Sequence, residues 1–311
     1  MAGATRDPVD GFALGTMLLL CAIWGAQQVA IKLAAPDVVP IMQVALRSGL
    51  SAALVALLVW RRGERHSFLA GTLRPGALAG TLFAAEFLFI AEGLRHTSAS
   101  HMAVFLYTSP VFTALGLAWR LPAERLRPRQ WLGVAVAFGG IAVAFAGGSP
   151  HGGAGPRMLL GDALGILAGA AWGATTVVIR CSSLSEAPPA QTLLYQLVGG
   201  FVLLLGYAAA TGQAGQVRLT SVAWASLLFQ GVVVSFASYL AWFWLLRRYL
   251  ASRLSVFSFM TPLFGVSFGV LLLDEPVSVP FGIGAAMVLA GILVVSGAGV
   301  LRRIEPRPAA R

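Results

Sequence analysis

Charged side chains are scarce in this sequence. Asp, Glu, Lys and Arg make up 11% of its 311 residues, less than half the roughly 25% of an ordinary soluble domain. Too few remain to solvate a globular surface. Cysteine is scarcer still. Cys21 lies in an apolar run and Cys181 at the end of another, which excludes a disulfide scaffold, and neither has a neighbour at metal-ligand spacing. The four histidines, at 66, 96, 101 and 151, are scattered, so no metal site is expected. A Gly-x-x-x-x-Gly-Lys-Ser/Thr loop is missing, which excludes ATP hydrolysis by a P-loop. No nucleophile and base stand together, so neither an enzyme nor a cofactor is expected. Met1 to Asp10 holds one Arg and two Asp and lacks the basic start of a cleaved signal.

What fills the chain instead is apolar, at 58% hydrophobic residues. The charges interrupt runs long enough to cross a hydrocarbon core of about 30 Å at about 1.5 Å per helical residue. Backbone amides in lipid must pair internally, so the runs are read as helices, and the lack of alternation excludes a β-barrel. The spans fall at 12–33, 38–60, 76–94, 98–119, 129–147, 159–180, 189–211, 222–245, 251–273 and 279–301. A net charge of +10 would point to nucleic acid in a soluble protein. Here the basic residues sit in short loops and set orientation. With the N-terminus inside, seventeen lie on the inner side and four, Lys32, Arg95, Arg157 and Arg218, on the outer side. Arg47, inside span 2, completes the 22. Both termini are therefore expected in the cytoplasm of a bacterium, with the chain in its inner membrane.

The halves repeat. Trp24-Gly25-Ala26-Gln27-Gln28-Val29-Ala30-Ile31-Lys32 matches Trp172-Gly173-Ala174-Thr175-Thr176-Val177-Val178-Ile179-Arg180 at an offset of 148, where Gln43 also meets Gln191. Ala99-Ser100 to Phe105 and Ser109-Pro110-Val111-Phe112 match Ala251-Ser252 to Phe257 and Thr261-Pro262-Leu263-Phe264 at 152. Gly133 and Gly140 match Gly284 and Gly291 at 151. Residues 1–147 and 159–311 are read as two five-span repeats joined by the Gly/Pro-rich linker 148–158. Five spans is an odd number, so the halves are expected to be inverted, a signature of secondary transporters with a site at mid-membrane.

These features together resemble the drug/metabolite transporter superfamily, EamA type, and within it the YddG-like amino-acid exporters. Trp-Gly opens each half, an Arg lies in span 2, and an Ala-Ser…Pro block recurs in spans 4 and 9. The resemblance covers essentially the whole chain. It implies ten helices around a central cavity, spans 5 and 10 at the periphery, and export by alternating access, driven by an ion gradient or by diffusion. Carriers of nucleotide sugars, quaternary amines or drugs remain as alternatives, as does a non-transporting membrane enzyme or scaffold. A sugar phosphate should need several cavity cations, where only Arg47 is available. Span 1 has no acid, unlike the small multidrug exporters. The expected partners are a small amino acid and the lipid bilayer, and a monomer suffices.

Candidate substrate-binding residues follow from polarity inside the spans. Trp24 and Gln28 are four apart and share a helix face, as do Trp172 and Thr176; each pair either lines a cavity or packs between helices. Glycines 161, 165, 169 and 173 form a stripe for close helix approach. Glu86 sits mid-span, where an ion costs at least about 2.5 kcal/mol. It could receive a substrate ammonium, carry a coupling proton, or pair structurally with Arg47. Ser235, Ser238, Tyr239 and Trp242 fall on one face of span 8, with Gln230 a turn before. Tyr107, Tyr195 and Gln196 are weaker candidates. His101, which begins span 4, either handles protons near neutral pH or is an ordinary interfacial histidine. Pro110 and Pro262 are read as equivalent mid-helix prolines that let spans 4 and 9 bend as gates. Asp274-Glu275 is read as a helix start before Pro276.

Overall fold

The computed structural model describes residues 11–64, 68–121, 126–146, 156–248 and 260–301. Among them the secondary structure is helical, apart from one isolated bridge between Val38 and Val217. The helices are α1 (Gly11–Ala34), α2 (Pro40–Arg61), α3 (Leu73–Gly93), α4 (Ala99–Leu106), α5 (Ser109–Arg120), α6 (Pro128–Ala146), α7 (Pro156–Arg180), α8 (Pro189–Ala210), α9 (Ser221–Leu228), α10 (Tyr239–Arg248), α11 (Met260–Leu273) and α12 (Val279–Leu301), with a π-helical stretch, Phe229–Ser238, joining α9 to α10. Most of linker 148–158 and the block Ala251 to Ser258 lie outside the described residues.

Local chemistry sets the ends. Pro40, Pro128, Pro156 and Pro189 open helices at the position where the missing N–H costs nothing. Ser98 Oγ accepts from His101 N at 3.0 Å and caps α4, and Thr220 Oγ1 accepts from Ala223 N at 3.2 Å and caps α9. Gly212, at φ 72°, turns the chain out of α8. Seven stretches among the described residues are long and apolar enough to cross a membrane, with shorter apolar helices at Met260–Leu273 and Val279–Val294. Leu19, Trp119, Leu271 and Val279 expose more than half of their surface. Such apolar flanks suit lipid contact, and the chain is a multi-pass membrane protein.

Two spans depart from simple helices. Span 4 breaks at Tyr107 and Thr108, so Pro110 stands in the first turn of α5 and not mid-helix. Pro262 lies in α11, and the residues before Met260 are outside the described ones. A proline in a first turn removes no intrahelical hydrogen bond, so Pro110 follows the break in span 4 and does not bend an unbroken helix. Span 8 carries ten residues of π-helix, which changes the angular spacing assumed for its polar stripe.

Helices of the two halves interleave. The most extensive contact is α6 on α12; α3 packs on α7 and α8, α2 on α8, α1 on α11, and α5 and α4 on α7. These contacts come in mates: α1 on α11 is span 1 on span 9, and α4 and α5 on α7 is span 4 on span 6. Glycine permits the α6–α12 approach. A Cβ on Gly140 would fall 2.6 Å from the Gly284 carbonyl oxygen, and one on Gly291 would fall 2.5 Å from that of Gly133. Ascending α6 from 133 to 140 therefore descends α12 from 291 to 284, so the two helices are antiparallel, and each glycine packs on the repeat partner of the other. The stripe 161, 165, 169, 173 does what its spacing requires. Cβ atoms there would meet Thr97, Phe105, Thr108 and Phe112.

Candidate functional site

Buried polar side chains concentrate in two places. The first lies between the halves and holds most of the residues singled out from sequence. Arg47 of α2 is 1% exposed. Its Nη1 donates to Gln27 Oε1 at 2.9 Å and its guanidinium stacks 4.2 Å over Phe87. Its Nε and Nη2 find no partner. Glu86 of α3, 6% exposed, interacts electrostatically with Arg47, yet the two form no direct ion pair. Tyr239 interacts with both charges and Tyr107 with Glu86. The structural Arg47–Glu86 pair is therefore not closed. A buried cation and a buried anion thus interact without a hydrogen-bonded contact among the described residues.

Aromatic rings surround these groups. Tyr107 meets Trp172 edge-on at 5.3 Å and Trp24 meets Trp242 at 5.9 Å. Trp24 Nε1 donates to Ser238 Oγ at 2.8 Å. Gln28 Oε1, Gln230 Oε1 and Ser235 Oγ are buried without partners. An unpaired buried polar atom costs about 1–3 kcal/mol, and several around one cluster mark a place where water or a ligand supplies the missing bonds. Thr176 Oγ1 instead donates to the Trp172 carbonyl of its own helix at 3.2 Å. Tyr195 is used elsewhere: its hydroxyl lies 3.1 Å from Thr72 Oγ1, and its ring packs against Gly76.

Arg47, Glu86, Gln28 and Ser235 of this cluster are buried, and its tryptophans are partly buried. Cavities open at the two ends of the bundle. One, of about 450 Å³, is lined mainly by apolar residues of α3, α5 and α7, with Arg120 and Cys181 at its edge. The other, of about 340 Å³, is polar and includes Lys32, Arg95, His96, His101, Glu275 and Ser278.

The second concentration borders that polar cavity, and sequence reasoning missed most of it. Glu275 is 9% exposed and is not a helix start; α12 begins at Val279. Its carboxylate accepts from Ala99 N at 2.7 Å, Ser100 N at 2.9 Å and Ser100 Oγ at 2.7 Å, and meets Lys32 Nζ at 3.5 Å. It thus caps the α4 N-terminus from a distant loop, satisfying amides that a helix start leaves free. Asp162, 2% exposed, binds His101 and Thr97. The signal was present: Asp162 is an acid inside an apolar run.

The repeat markers Gln43 and Gln191 act as matching clasps. Gln43 Nε2 donates to Ile31 O and Val38 O, and its Oε1 accepts from Gln230 of span 8 at 2.8 Å. Gln191 accepts from Leu69 N and donates to Leu69 O and Thr72, just before span 3.

Comparison with known proteins agrees with this architecture. The model of the EamA-like transporter family matches twice, over residues 11–146 and 159–297. An uncharacterized transporter of Archaeoglobus fulgidus is 26% identical over 283 residues, covering 90% of this chain and 96% of that one. A protein of Escherichia coli K12 named "Probable amino-acid metabolite efflux pump" is 25% identical over 288 residues, covering 89% and 92%. One solved crystal structure superposes with a TM-score of 0.67 at 19% identity, over 96% of this chain and 100% of that one, a likeness of fold alone. With two matches that span most of its length, the chain belongs to the EamA-like transporter family.

Proposed function

We propose that this protein is a secondary exporter of neutral amino acids, aromatic ones foremost, across the bacterial inner membrane. The observation that carries this is that Arg47 and Glu86, both buried, make no ion pair with each other among the described residues. Arg47 keeps two guanidinium nitrogens unpaired, and Glu86 makes no hydrogen bond to the described protein. A zwitterion fits both: its carboxylate takes the guanidinium donors and its ammonium takes the Glu86 carboxylate. Trp24, Trp172, Tyr107 and Tyr239 supply ring faces for a side chain, and Gln28, Ser235 and Gln230 supply neutral polar contacts. Arg47, expected to be mainly structural, is thereby also a binding residue. One buried cation and one buried anion select a neutral zwitterion over a cationic drug or a polyanionic sugar phosphate. The E. coli relative's name points the same way.

Transport is by alternating access between two inverted five-helix repeats, residues 1–147 and 159–311, with both termini cytoplasmic. The doubled family match, the mated contacts and the antiparallel α6–α12 glycine packing support this. The charged residues of the site are buried here, with cavities at both ends of the bundle, an arrangement suited to opening either way. Pro110 and Pro262, after the break in span 4 and in its repeat partner, are positioned to hinge these motions. No chemistry on the substrate is assigned to the protein, and it works in lipid as a monomer.

The test is counterflow. Purified protein goes into liposomes loaded with one unlabelled amino acid, and entry of labelled phenylalanine is followed against protein-free liposomes. Accumulation that aromatic and aliphatic amino acids compete away supports the reading. No accumulation for any amino acid, with the protein shown folded, moves the assignment to another metabolite.

A further inference from the structure

The polar end of the bundle buries an ionisable pair that the substrate site does not use. His101, in the first turn of α4, is 5% exposed, and Asp162, in the second turn of α7, is 2% exposed. His101 Nδ1 stands 2.9 and 3.1 Å from the two Asp162 oxygens, and Thr97 Oγ1 donates to the same carboxylate. The imidazole lies flat on Phe281 of α12 with centroids 3.9 Å apart, and Phe105 meets it edge-on. With Nδ1 held by the Asp162 carboxylate, Nε2 is the ring nitrogen left free to take a proton. His101 also lines the polar cavity, which gives water access to the ring.

Other charges around this cavity are already engaged. Lys32 of α1 pairs with Glu275, and Arg95, in the turn before α4, pairs with Glu92 at 2.9 Å. His96 lines the same cavity. α11 meets α4 through Gly265 and Gly269 and brings no charge there.

The pair also breaks the repeat. Lys32 and Glu275 have sequence partners of the same charge, Arg180 at an offset of 148 and Glu124 at 151. His101 is matched by Arg253, and Asp162 by Leu14, which stands on the outer surface of α1 at 39% exposure. Two equivalent halves exchanging conformations have no built-in direction. A titratable pair in only one half makes the balance between the two states depend on pH.

We propose that His101 and Asp162 form the proton-binding site that couples this transporter to the proton gradient, loaded from the aqueous cavity beside Lys32. This rests on the transport reading and on the orientation expected from the basic residues, which places that cavity outside. A proton from external water adds to Nε2, and the resulting imidazolium–carboxylate pair ties α4 to α7 at the outer end. Loss of that proton to the cytoplasm leaves a neutral hydrogen bond, weaker by one charge, and frees the outer end to open with substrate aboard. One proton enters for each substrate that leaves.

The test uses the full chain in liposomes whose interior is one pH unit more acidic than the bath, with the membrane potential clamped at zero. One-for-one exchange gives roughly tenfold accumulation of labelled phenylalanine, since one pH unit is about 1.4 kcal/mol. Counterflow on the same vesicles normalises for working carrier. Wild type is expected near tenfold, and His101→Gln and Asp162→Asn at no accumulation. Wild-type counterflow without gradient-driven accumulation overturns the proton site and leaves the amino-acid reading standing. If no amino acid gives counterflow, that reading fails first, and the proton site is decided by hydrogen exchange. In wild type, corrected protection of residues 97–105 and 158–166 should rise as pH falls through the histidine range, and should stay flat in His101→Gln. The same pH profile in both proteins overturns the proposal.

Discussion

Replacing Glu86 with Gln tests the substrate geometry most directly. The amide keeps the size of the side chain and removes its charge. Among the described residues Glu86 has no direct ion pair or side-chain hydrogen bond to lose, so the change falls on the ligand. A hydrogen bond to a charged partner contributes about 1.5–3 kcal/mol, which corresponds to a roughly 10- to 100-fold loss of affinity. The assay is counterflow of labelled phenylalanine, competed by phenylalanine, by 3-phenylpropionate, which lacks the ammonium, and by phenethylamine, which lacks the carboxylate. Glu86→Gln should weaken phenylalanine by that factor and leave 3-phenylpropionate nearly unchanged. Arg47→Gln should weaken phenylalanine and spare phenethylamine. Equal weakening of phenylalanine and 3-phenylpropionate by Glu86→Gln would refute the reasoning and return Glu86 to a structural role.

Gly140→Ala puts a Cβ 2.6 Å from a backbone oxygen, so α6 and α12 must separate; a destabilisation of about 1–3 kcal/mol should lower the unfolding temperature in detergent. Gly139→Ala, whose Cβ would meet only the Met287 methyl at 3.5 Å, should leave it unchanged within about 0.5 kcal/mol. Gln191→Leu leaves Leu69 N without its partner, while Leu69 O and Thr72 keep their bond to each other, and should cost about 1–3 kcal/mol in the same melt. Glu275→Ala should destabilise far more than Lys32→Ala. The first uncaps two amides of α4, whereas the second removes a partly exposed pair at 3.5 Å, worth about 1 kcal/mol at most.

Much of the architecture was legible in the residues because lipid leaves few choices. Every apolar run had to be a helix, and each described span is helical. The repeated Trp-Gly, Gln and Gly positions marked equivalent places in the two halves, and Gln43 and Gln191 do clasp equivalent spans. The polar candidates were legible as types, since a charge or amide inside an apolar run needs a reason. Their partners were not. Periodicity assumes an unbroken 3.6-residue helix, so it missed the break at Tyr107 and the π-helix of span 8. Proximity in sequence made Asp274-Glu275 look like a helix start.

By itself, then, the sequence determined the class of molecule, a helical multi-pass membrane protein, because this depends on local hydrophobicity and on composition. Only the tertiary structure decided that Arg47 and Glu86 interact without pairing, that Glu275 caps a helix 175 residues away, and that Asp162 meets His101. Each joins side chains from distant spans across a helix interface. Such contacts are set by how helices cross and how closely glycines let them approach, which no local pattern records.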